Sequence, residues 1–404
     1  MSEQPALDRE EHKLIEAIEQ APMVEQVIEW AELNSGSANL AGLEAVATRL
    51  AHAFAALPGD VALVEGDRFE SVDPAGGVFA QPTGAHLVLK VRPEAPRRIL
   101  LTGHMDTVYA ADHPFQTCDW LDPATLHGPG TADMKGGLAL MLAALRAFEA
   151  SAPRLGYDVM INSDEEIGSP SSAGLIRELA PGKLAALTYE PALPDGRLAR
   201  ARPGSGNVSL VVTGRAAHAG RNPQDGRNAI VAAADLALRL ARSATSELSI
   251  NPARIDGGAA NNTVPDGAVL RCNLRPHRPQ DLAEAIALLD RLVAEVAAEH
   301  DVAIALHGGF GRPPKVIDAK AESLFGLVAR AAFDLGERLD WADTGGVCDG
   351  NNIAACGVPV IDTMGACGGA IHSPDEFLQV DSLVSRARLS ALVLQRLDRG
   401  VSPL

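Results

Sequence analysis

The sequence predicts an α/β protein in which a mostly parallel sheet, flanked by helices, is interrupted by a smaller α+β domain. Short continuous apolar runs such as residues 98–101 alternate with Ala/Leu-rich helical segments, a pattern typical of a sheet covered on both faces. Acidic and histidine residues follow several of these runs. From about residue 204 the predicted order changes to a β-α-β-β-α-β unit, which indicates a separate inserted domain.

The first part of the chain is expected to alternate between helices and buried strands. Residues 14–57 have a helical pattern with a break at 34–37 that suits the cap of a second helix, so two helices should open the chain. The elements predicted next are strands 87–91 and 99–101, helix 137–148, strand 159–162, helix 174–179 and strand 185–189. Ligands bind beyond the carboxyl ends of strands in such sheets, where His104, Glu165 and Glu190 should lie.

Glycine and proline mark the limits of the predicted insert. We predict that the glycine-rich segment 202–206 is a hinge that opens the unit and that segment 311–314 closes it. Between them we predict strand 208–212, helix 229–241, strands 248–255 and 268–274, helix 282–298 and strand 302–306. Helix 322–335, strand 358–361 and helix 383–397 then resume the first pattern. We therefore expect a discontinuous catalytic domain, 1–203 with 314–404, and an inserted lid or dimerisation domain, 204–313.

Bulk composition excludes some classes of protein. A formal net charge of −17 argues against binding to nucleic acid, because contact with phosphates needs basic patches. The chain contains no apolar stretch long enough to span a membrane, and its amino terminus lacks the pattern of a secretory signal. Its five cysteines form no C-x-x-C pair, which suits free thiols in a reducing compartment. We therefore expect a cytoplasmic protein that binds neither nucleic acid nor membranes.

Three acidic segments predict a metal site with hydrolytic chemistry. Residues 103–106 (Gly-His-Met-Asp) and 164–166 (Asp-Glu-Glu) follow predicted strands, and residues 133–137 (Asp-Met-Lys-Gly-Gly) lead into the predicted helix 137–148. An ionised carboxylate is costly to bury unless it is paired or bound to a cation, so this pattern indicates bound metal. If Glu166 binds a metal, its neighbour Glu165 can remain free to take a proton from water as a general base.

Five motifs in this order resemble those of the co-catalytic zinc metallopeptidase family that contains glutamate carboxypeptidase, acetylornithine deacetylase, succinyl-diaminopimelate desuccinylase and the aminoacylases. The matching segments are TGHMDTV (102–108), GPGTADMKGG (128–137), SDEEIGS (163–169), YEP (189–191) and IHS (371–373). The resemblance covers nearly the whole chain, and segments 203–212 and 217–223 are most similar to the glutamate carboxypeptidase branch.

The resemblance implies two metal ions that share one carboxylate. By this likeness Asp133 bridges the metals, His104 and Glu190 complete one site, and Glu166 and His372 complete the other. Imidazole and carboxylate ligands without a thiolate suit two Zn²⁺ ions per chain, and Co²⁺ or Mn²⁺ could replace them. Asp106 matches the aspartate that orients the ligating histidine, and Glu165 matches the general base.

Further matches concern the substrate and the subunit arrangement. His218 matches the family histidine that stabilises the tetrahedral oxyanion, which the partner subunit of a homodimer usually supplies. Asn262 and Arg275 match residues that hold the substrate, and the planar guanidinium suits a free carboxylate. The glycines Gly368 and Gly369 should let backbone approach the same carboxylate.

The resemblance implies hydrolysis of an amide in a small-molecule substrate that carries a free carboxylate. The expected enzyme is a carboxypeptidase acting on peptides or N-acyl amino acids, with acyl-glutamate among the candidate substrates. An N-acyl-amino-acid deacylase of the acetylornithine deacetylase and desuccinylase type is the alternative. Two other readings stay open: a dinuclear phosphoesterase, which the lack of a phosphate-binding glycine loop disfavours, and a metal-dependent binding protein without turnover.

Overall fold

The computed structural model describes residues 7–19 and 21–401. Its helices are α1 (Arg9–Glu16), α2 (Ala21–Ala31), α3 (Leu40–Phe54), α4 (Gly136–Glu149), α5 (Ser172–Leu179), α6 (Ala229–Arg242), α7 (Pro279–His300), α8 (Ala319–Asp334), α9 (Asp349–Ala355) and α10 (Asp381–Asp398). Its strands are β1 (Asp60–Val64), β2 (Phe69–Val72), β3 (Val78–Gln81), β4 (His86–Val91), β5 (Arg98–His104), β6 (Asp119–Asp122), β7 (Thr125–His127), β8 (Gly156–Asn162), β9 (Ala186–Thr188), β10 (Leu198–Ala199), β11 (Ser205–Thr213), β12 (Ala217–His218), β13 (Leu248–Gly257), β14 (Thr263–Val264), β15 (Gly267–Pro276), β16 (Ala303–Arg312), β17 (Trp341–Ala342), β18 (Val360–Ile361), β19 (Gly368–Gly369) and β20 (Phe377–Gln379).

A six-stranded sheet forms the centre of the larger part of the molecule. Its strand order is β1-β4-β8-β5-β9-β18, with parallel pairing from β8 to β18 and antiparallel pairing of β1 with β4 and of β4 with β8. One face packs against α4, α10 and the amino-terminal helices, and the other against α5 and α9. Since both faces are covered, the strands are apolar without alternation, and the predicted fold class is confirmed.

The inserted unit has its own sheet and its own core. Its four antiparallel strands are ordered β13-β15-β11-β16, and α6 and α7 contribute to a hydrophobic core with Val208, Leu210 and Leu270. The chain order β11-α6-β13-β15-α7-β16 is the predicted β-α-β-β-α-β arrangement. The separate core supports a division of the chain near 204 and 313, and the domain limits themselves stay a prediction.

The prediction of two opening helices is wrong. The structure has three helices there, because Pro22, which has no amide hydrogen to continue a preceding helix, lies at the start of α2. The cap of α3 is Asn39, whose side chain accepts a hydrogen bond from the Gly42 amide, rather than a residue of the 34–37 break. The two-stranded hairpin β2–β3 and the four-stranded sheet β19-β20-β7-β6 were also not predicted, because strands of two to four residues give a weak periodic signal.

None of the helices among residues 7–19 and 21–401 is long and apolar enough to cross a membrane.

The two connections to the inserted unit are joined to each other. The backbones of Arg202 and Lys315 exchange hydrogen bonds of 3.2 and 3.0 Å. Both side chains reach the fully buried Asp362, with Arg202 Nε at 2.7 Å and Lys315 Nζ at 2.8 Å from Oδ2. Burial raises the pKa of Asp362, but the two cations outweigh burial and hold the pKa below its ordinary value.

We expect Asp362→Asn to lower the free energy of unfolding by about 3–5 kcal/mol, because it leaves two buried cations without a counter-ion. Chemical denaturation at neutral pH measures this loss. In the wild type the contribution of Asp362 is present above the unfolded-state pKa and is lost as the pH falls through the lower folded-state pKa. Asp340→Asn is the matched control, since its partner Arg338 is exposed and that pair should contribute little. Equal effects of the two substitutions would contradict this account.

Candidate metal centre

The five predicted metal ligands meet at one edge of the central sheet. His104 is the last residue of β5, and Glu190 lies two residues after β9. Asp133 lies in the tight turn Thr131–Lys135 that precedes α4, with a cis peptide bond to Met134. Glu166 lies in the short helical turn Glu165–Ile167 after β8, and His372 lies between β19 and β20. Segments distant in sequence therefore supply one cluster.

The first group of side chains surrounds His104. Its Nε2 lies 3.0 Å from Asp133 Oδ1 and 3.6 Å from Glu190 Oε2. His104 is 1% exposed, and the side chains of Asp133 and Glu190 are 8% and 10% exposed. This burial leaves little water to solvate the carboxylates.

The second group surrounds His372. Its Nε2 lies 3.3 Å from Asp133 Oδ2 and 3.2 Å from Glu166 Oε2. The two oxygens of Asp133 thus face different histidines, which is the arrangement that a bridging carboxylate requires. Unlike His104, the His372 side chain is 52% exposed, so this side of the cluster is open to solvent.

Asp106 links the histidine to the acidic turn. Its backbone carbonyl lies 3.0 Å from His104 Nδ1, and its side-chain Oδ1 lies 3.4 Å from the same nitrogen. The carboxylate also accepts hydrogen bonds from the amides of Glu165 and Glu166 at 3.2 and 3.1 Å and from the Ser37 hydroxyl at 2.7 Å. Asp106 therefore orients the His104 ring and fixes the turn that carries both glutamates.

The charges of the cluster favour a bound cation. Burial raises the pKa of Glu190 and raises that of Glu166 to about 7, because neither carboxylate is solvated and each repels its neighbours. Hydrogen bonds to Asp133 and Glu166 raise the pKa of His372 to about 11. Cations lower the free energy of such a group of carboxylates, and nitrogen and oxygen donors without a thiolate fit zinc, cobalt or manganese.

Glu165 and Glu166 point to different partners. Glu166 faces His372, whereas Glu165 Oε1 lies 2.6 Å from Arg312 Nη2 at the end of β16. Oxygens of Glu165 also come within 4.8 Å of ligand atoms of His104 and Glu190, so distance alone would allow Glu165 to bind metal. The Arg312 ion pair already satisfies this carboxylate, which favours a role for Glu165 outside the ligand set.

A cavity of about 240 Å³ opens onto the cluster. Asp133, Glu165, Glu166, Glu190 and His372 line one side of it. The other lining residues include Gly368 and Gly369 as well as Arg202, Thr344 and Cys348. The two predicted substrate-binding glycines are therefore placed beside the cluster.

The other predicted substrate residues lie on the inserted unit and do not line this cavity. His218 is exposed on β12, opposite Thr263 of β14, and its Nδ1 accepts a hydrogen bond from the Gly220 amide at 3.1 Å. Asn262 precedes β14 and accepts from the Ala219 amide through its carbonyl at 2.8 Å. Arg275 donates to the carbonyl of Gly345 at 2.6 Å, next to Thr344 at the cavity wall. Their roles stay predictions.

Sequence reasoning missed two buried cations at the site. Arg312 lies in the segment interpreted as the end of the insert, and its contact with Glu165 depends on long-range folding. Lys135 is fully buried and donates to the Ser35 hydroxyl at 2.8 Å and to the Met105 carbonyl. Its place beside Asp133 in the motif was a usable signal, because a buried lysine needs nearby acceptors or acids.

Comparisons with known proteins give one consistent relationship. The pattern of Peptidase family M20/M25/M40 matches residues 100–396. Carboxypeptidase G2 of Pseudomonas sp. (strain RS-16) is 32% identical over 332 residues, which cover 78% of each chain. A succinyl-diaminopimelate desuccinylase of Xanthomonas oryzae pv. oryzae is 31% identical over 327 residues, covering 74% of this chain and 83% of the relative. A tripeptidase structure from Staphylococcus aureus has the same fold, with a TM-score of 0.73, 22% identity and coverage of 95% and 100%.

If each group of side chains holds a metal ion, we expect Asp133→Asn to weaken metal binding at both, because each oxygen of Asp133 faces one of the two groups. Removing a residue that is hydrogen-bonded to a metal ligand typically weakens metal affinity by about 10–100-fold. Loss of a ligand itself should weaken it more than this. Titration of metal-free protein with Zn²⁺ in a calorimeter, with elemental analysis after dialysis, measures it. Asp375→Asn, three residues from His372 and exposed, is the control and should bind normally. Unchanged binding by Asp133→Asn would refute the bridging assignment.

Proposed function

The chain belongs to peptidase family M20/M25/M40 and is a hydrolase, and we propose that it is a two-zinc enzyme that cleaves an amide bond next to a free carboxylate. The observation that carries this proposal is the arrangement around Asp133, whose oxygens lie 3.0 and 3.3 Å from the two histidines. The resident ions would be held by Asp133 with His104 and Glu190 on one side, and with Glu166 and His372 on the other.

Divalent cations bound there would lower the pKa of a water molecule and polarise the substrate carbonyl. Glu165 is the group of this chain that accepts the proton from that water and returns it to the leaving nitrogen. Burial raises the pKa of Glu165 well above its ordinary value, although the charge of Arg312 opposes this shift. A raised pKa suits a group that must both take and release a proton near neutral pH.

Arg312 keeps the general base in place. Its Nη2 donates to the side chain of Glu165 at 2.6 Å, to the backbone carbonyl of Glu165 at 2.9 Å and to the Ser169 hydroxyl at 2.9 Å. These three contacts hold the Glu165 carboxylate at the cavity wall and away from Glu166. The end of the inserted unit thereby contributes to the geometry of the base.

A free carboxylate on the substrate is the second part of the proposal. Gly368 and Gly369 expose backbone to the cavity, and Arg275 reaches its rim through Gly345. A planar guanidinium and backbone amides are suitable partners for a carboxylate. The similarity to carboxypeptidase G2 supports an exopeptidase on peptides or N-acyl amino acids, with acyl-glutamate as the first substrate to test.

An N-acyl-amino-acid deacylase is the second candidate, because the desuccinylase relative is 31% identical over 327 residues. Both candidates need the same base and the same ions, and they differ in the groups on each side of the scissile amide. A panel of benzoyl-glutamate, acetylornithine, succinyl-diaminopimelate and simple dipeptides distinguishes them by kcat/KM.

We also propose that the active form is a homodimer in which His218 contributes to the site of the partner. In the single chain His218 is exposed and does not line the metal-site cavity, which is the placement that such sharing requires. Mixing His218→Ala protein with Glu165→Gln protein tests this idea. Partial recovery of activity in the mixture supports sharing of His218 between subunits. A mixture that stays inactive after the two variants have exchanged subunits argues against it.

We expect Glu165→Gln to lower kcat by about 10²–10⁴-fold while both metal ions stay bound, because it removes the proton acceptor without removing a ligand. Hydrolysis of the substrate panel and elemental analysis of the same samples measure the two effects. Glu166→Gln is the matched variant at the adjacent position, and it should lose metal as well as activity. Near-normal turnover by Glu165→Gln would show that the base is misassigned.

A further inference from the structure

A buried glutamate outside the ligand set holds the turn that carries Asp133. Glu376 is 1% exposed. Its Oε1 accepts hydrogen bonds from the amides of Ala132 and Asp133 at 3.0 and 2.9 Å. Its Oε2 accepts from the Gly130 amide at 3.1 Å. In this turn Asp133 and Met134 have non-helical backbone angles, so its amides cannot all pair within the turn. The single carboxylate of Glu376 therefore accepts hydrogen bonds from three of these amides.

Tyr109 connects this glutamate to two further segments. Its hydroxyl lies 2.8 Å from Glu376 Oε2 and 2.8 Å from the carbonyl of Ser373, the residue after His372. Tyr109 follows β5 by five residues and so belongs to the segment that continues from His104 and Asp106. We call Glu376 and Tyr109 together the carboxylate clamp.

The clamp joins the segment that carries Asp133 to the segment that carries His372. Glu376 is four residues from His372 along the chain, and the Glu376 amide bonds back to the Ser373 carbonyl at 3.2 Å. The Gly128 amide donates to the Glu376 carbonyl at 3.2 Å, so backbone as well as side chain ties the two segments together. A shift of the clamp would change the separation between Asp133 and His372.

The two metal groups differ in what else supports them. His104 ends β5, which is hydrogen-bonded to β8 and β9 on either side, and Glu190 lies two residues after β9. His372 instead lies in a loop with φ of 61°, and its side chain is half exposed. The first group is anchored by the central sheet. In the second group Asp106 holds the turn that carries Glu166, and the clamp ties the loop of His372 to the Asp133 turn.

We propose that Glu376 is a positioning residue that sets the distance between Asp133 and His372, so that retention of the second metal ion depends on it. This inference rests on the proposed two-metal function. It assigns the two sites unequal dependence on the clamp: both share Asp133, but the His104–Glu190 site has its other two ligands on or next to strands of the central sheet and should change less when the clamp is removed than the Glu166–His372 site.

The test is stepwise titration of metal-free protein with Co²⁺, followed by calorimetry and by the visible absorption of the bound ion. In Glu376→Gln the side-chain amide cannot accept from all three backbone amides. We expect the first Co²⁺ to bind within about threefold of the wild type and the second to bind about 10–100-fold more weakly, with a changed absorption band for the second ion. Tyr109→Phe removes one of the four donors and should cause a smaller change in the same direction.

Asp375→Asn is the matched control, because it changes the adjacent exposed acid of the same loop without touching the clamp. Equal weakening of both ions, or no change in either, would overturn the proposal. Tyr109→Phe decides the question in the same way if Glu376→Gln does not fold. A wild-type chain that binds fewer than two ions would instead defeat the proposed function itself, so the two failures are distinguishable.

Discussion

The repulsion among buried carboxylates at the carboxyl edge of the central sheet is the constraint on which the rest of the site depends. Asp106, Asp133, Glu165, Glu166 and Glu190 lie close together with little access to water. Their charges can be stabilised only by cations and by hydrogen-bond donors. The surrounding structure supplies both, and this requirement accounts for the residues that line the site.

The acids are stabilised by different sets of partners. Asp106 accepts hydrogen bonds from amides of the turn that carries Glu165. Asp133 faces two histidines, and Glu165 pairs with Arg312. Lys135 lies behind Asp133, where burial lowers its pKa to about 8 even though the nearby acids favour its charged form. Arg312 faces Glu165, and Lys135 donates to Ser35 and so is turned away from the two histidines. The region between Asp133 and the two histidines is therefore where the proposed metal ions would bind.

The inserted unit is part of this arrangement rather than an independent appendage. Its last strand carries Arg312 to Glu165, the proposed general base, and its entry and exit segments pair at Arg202 and Lys315 over Asp362. Arg275 reaches the Thr344–Gly346 loop from the same unit. The orientation of the inserted sheet therefore affects both the position of Glu165 and the cavity rim at Gly345. Movement of the inserted unit would change both, and through them the proposed catalysis.

The sequence alone determined the class of fold, the order of the inserted unit and the set of residues that meet around Asp133. The fold class and the order of the insert follow from the local pattern of apolar strands, and the set of residues around Asp133 follows from the five motifs and the resemblance they carry. Only the tertiary structure decided that Arg312 pairs with Glu165 and that Glu376 and Tyr109 hold the Asp133 turn. Both depend on contacts between segments more than 140 residues apart, from Glu165 to Arg312 and from Asp133 to Glu376. Such contacts leave no periodic signal in the chain, because a buried partner is selected by the position of backbone and charge in space.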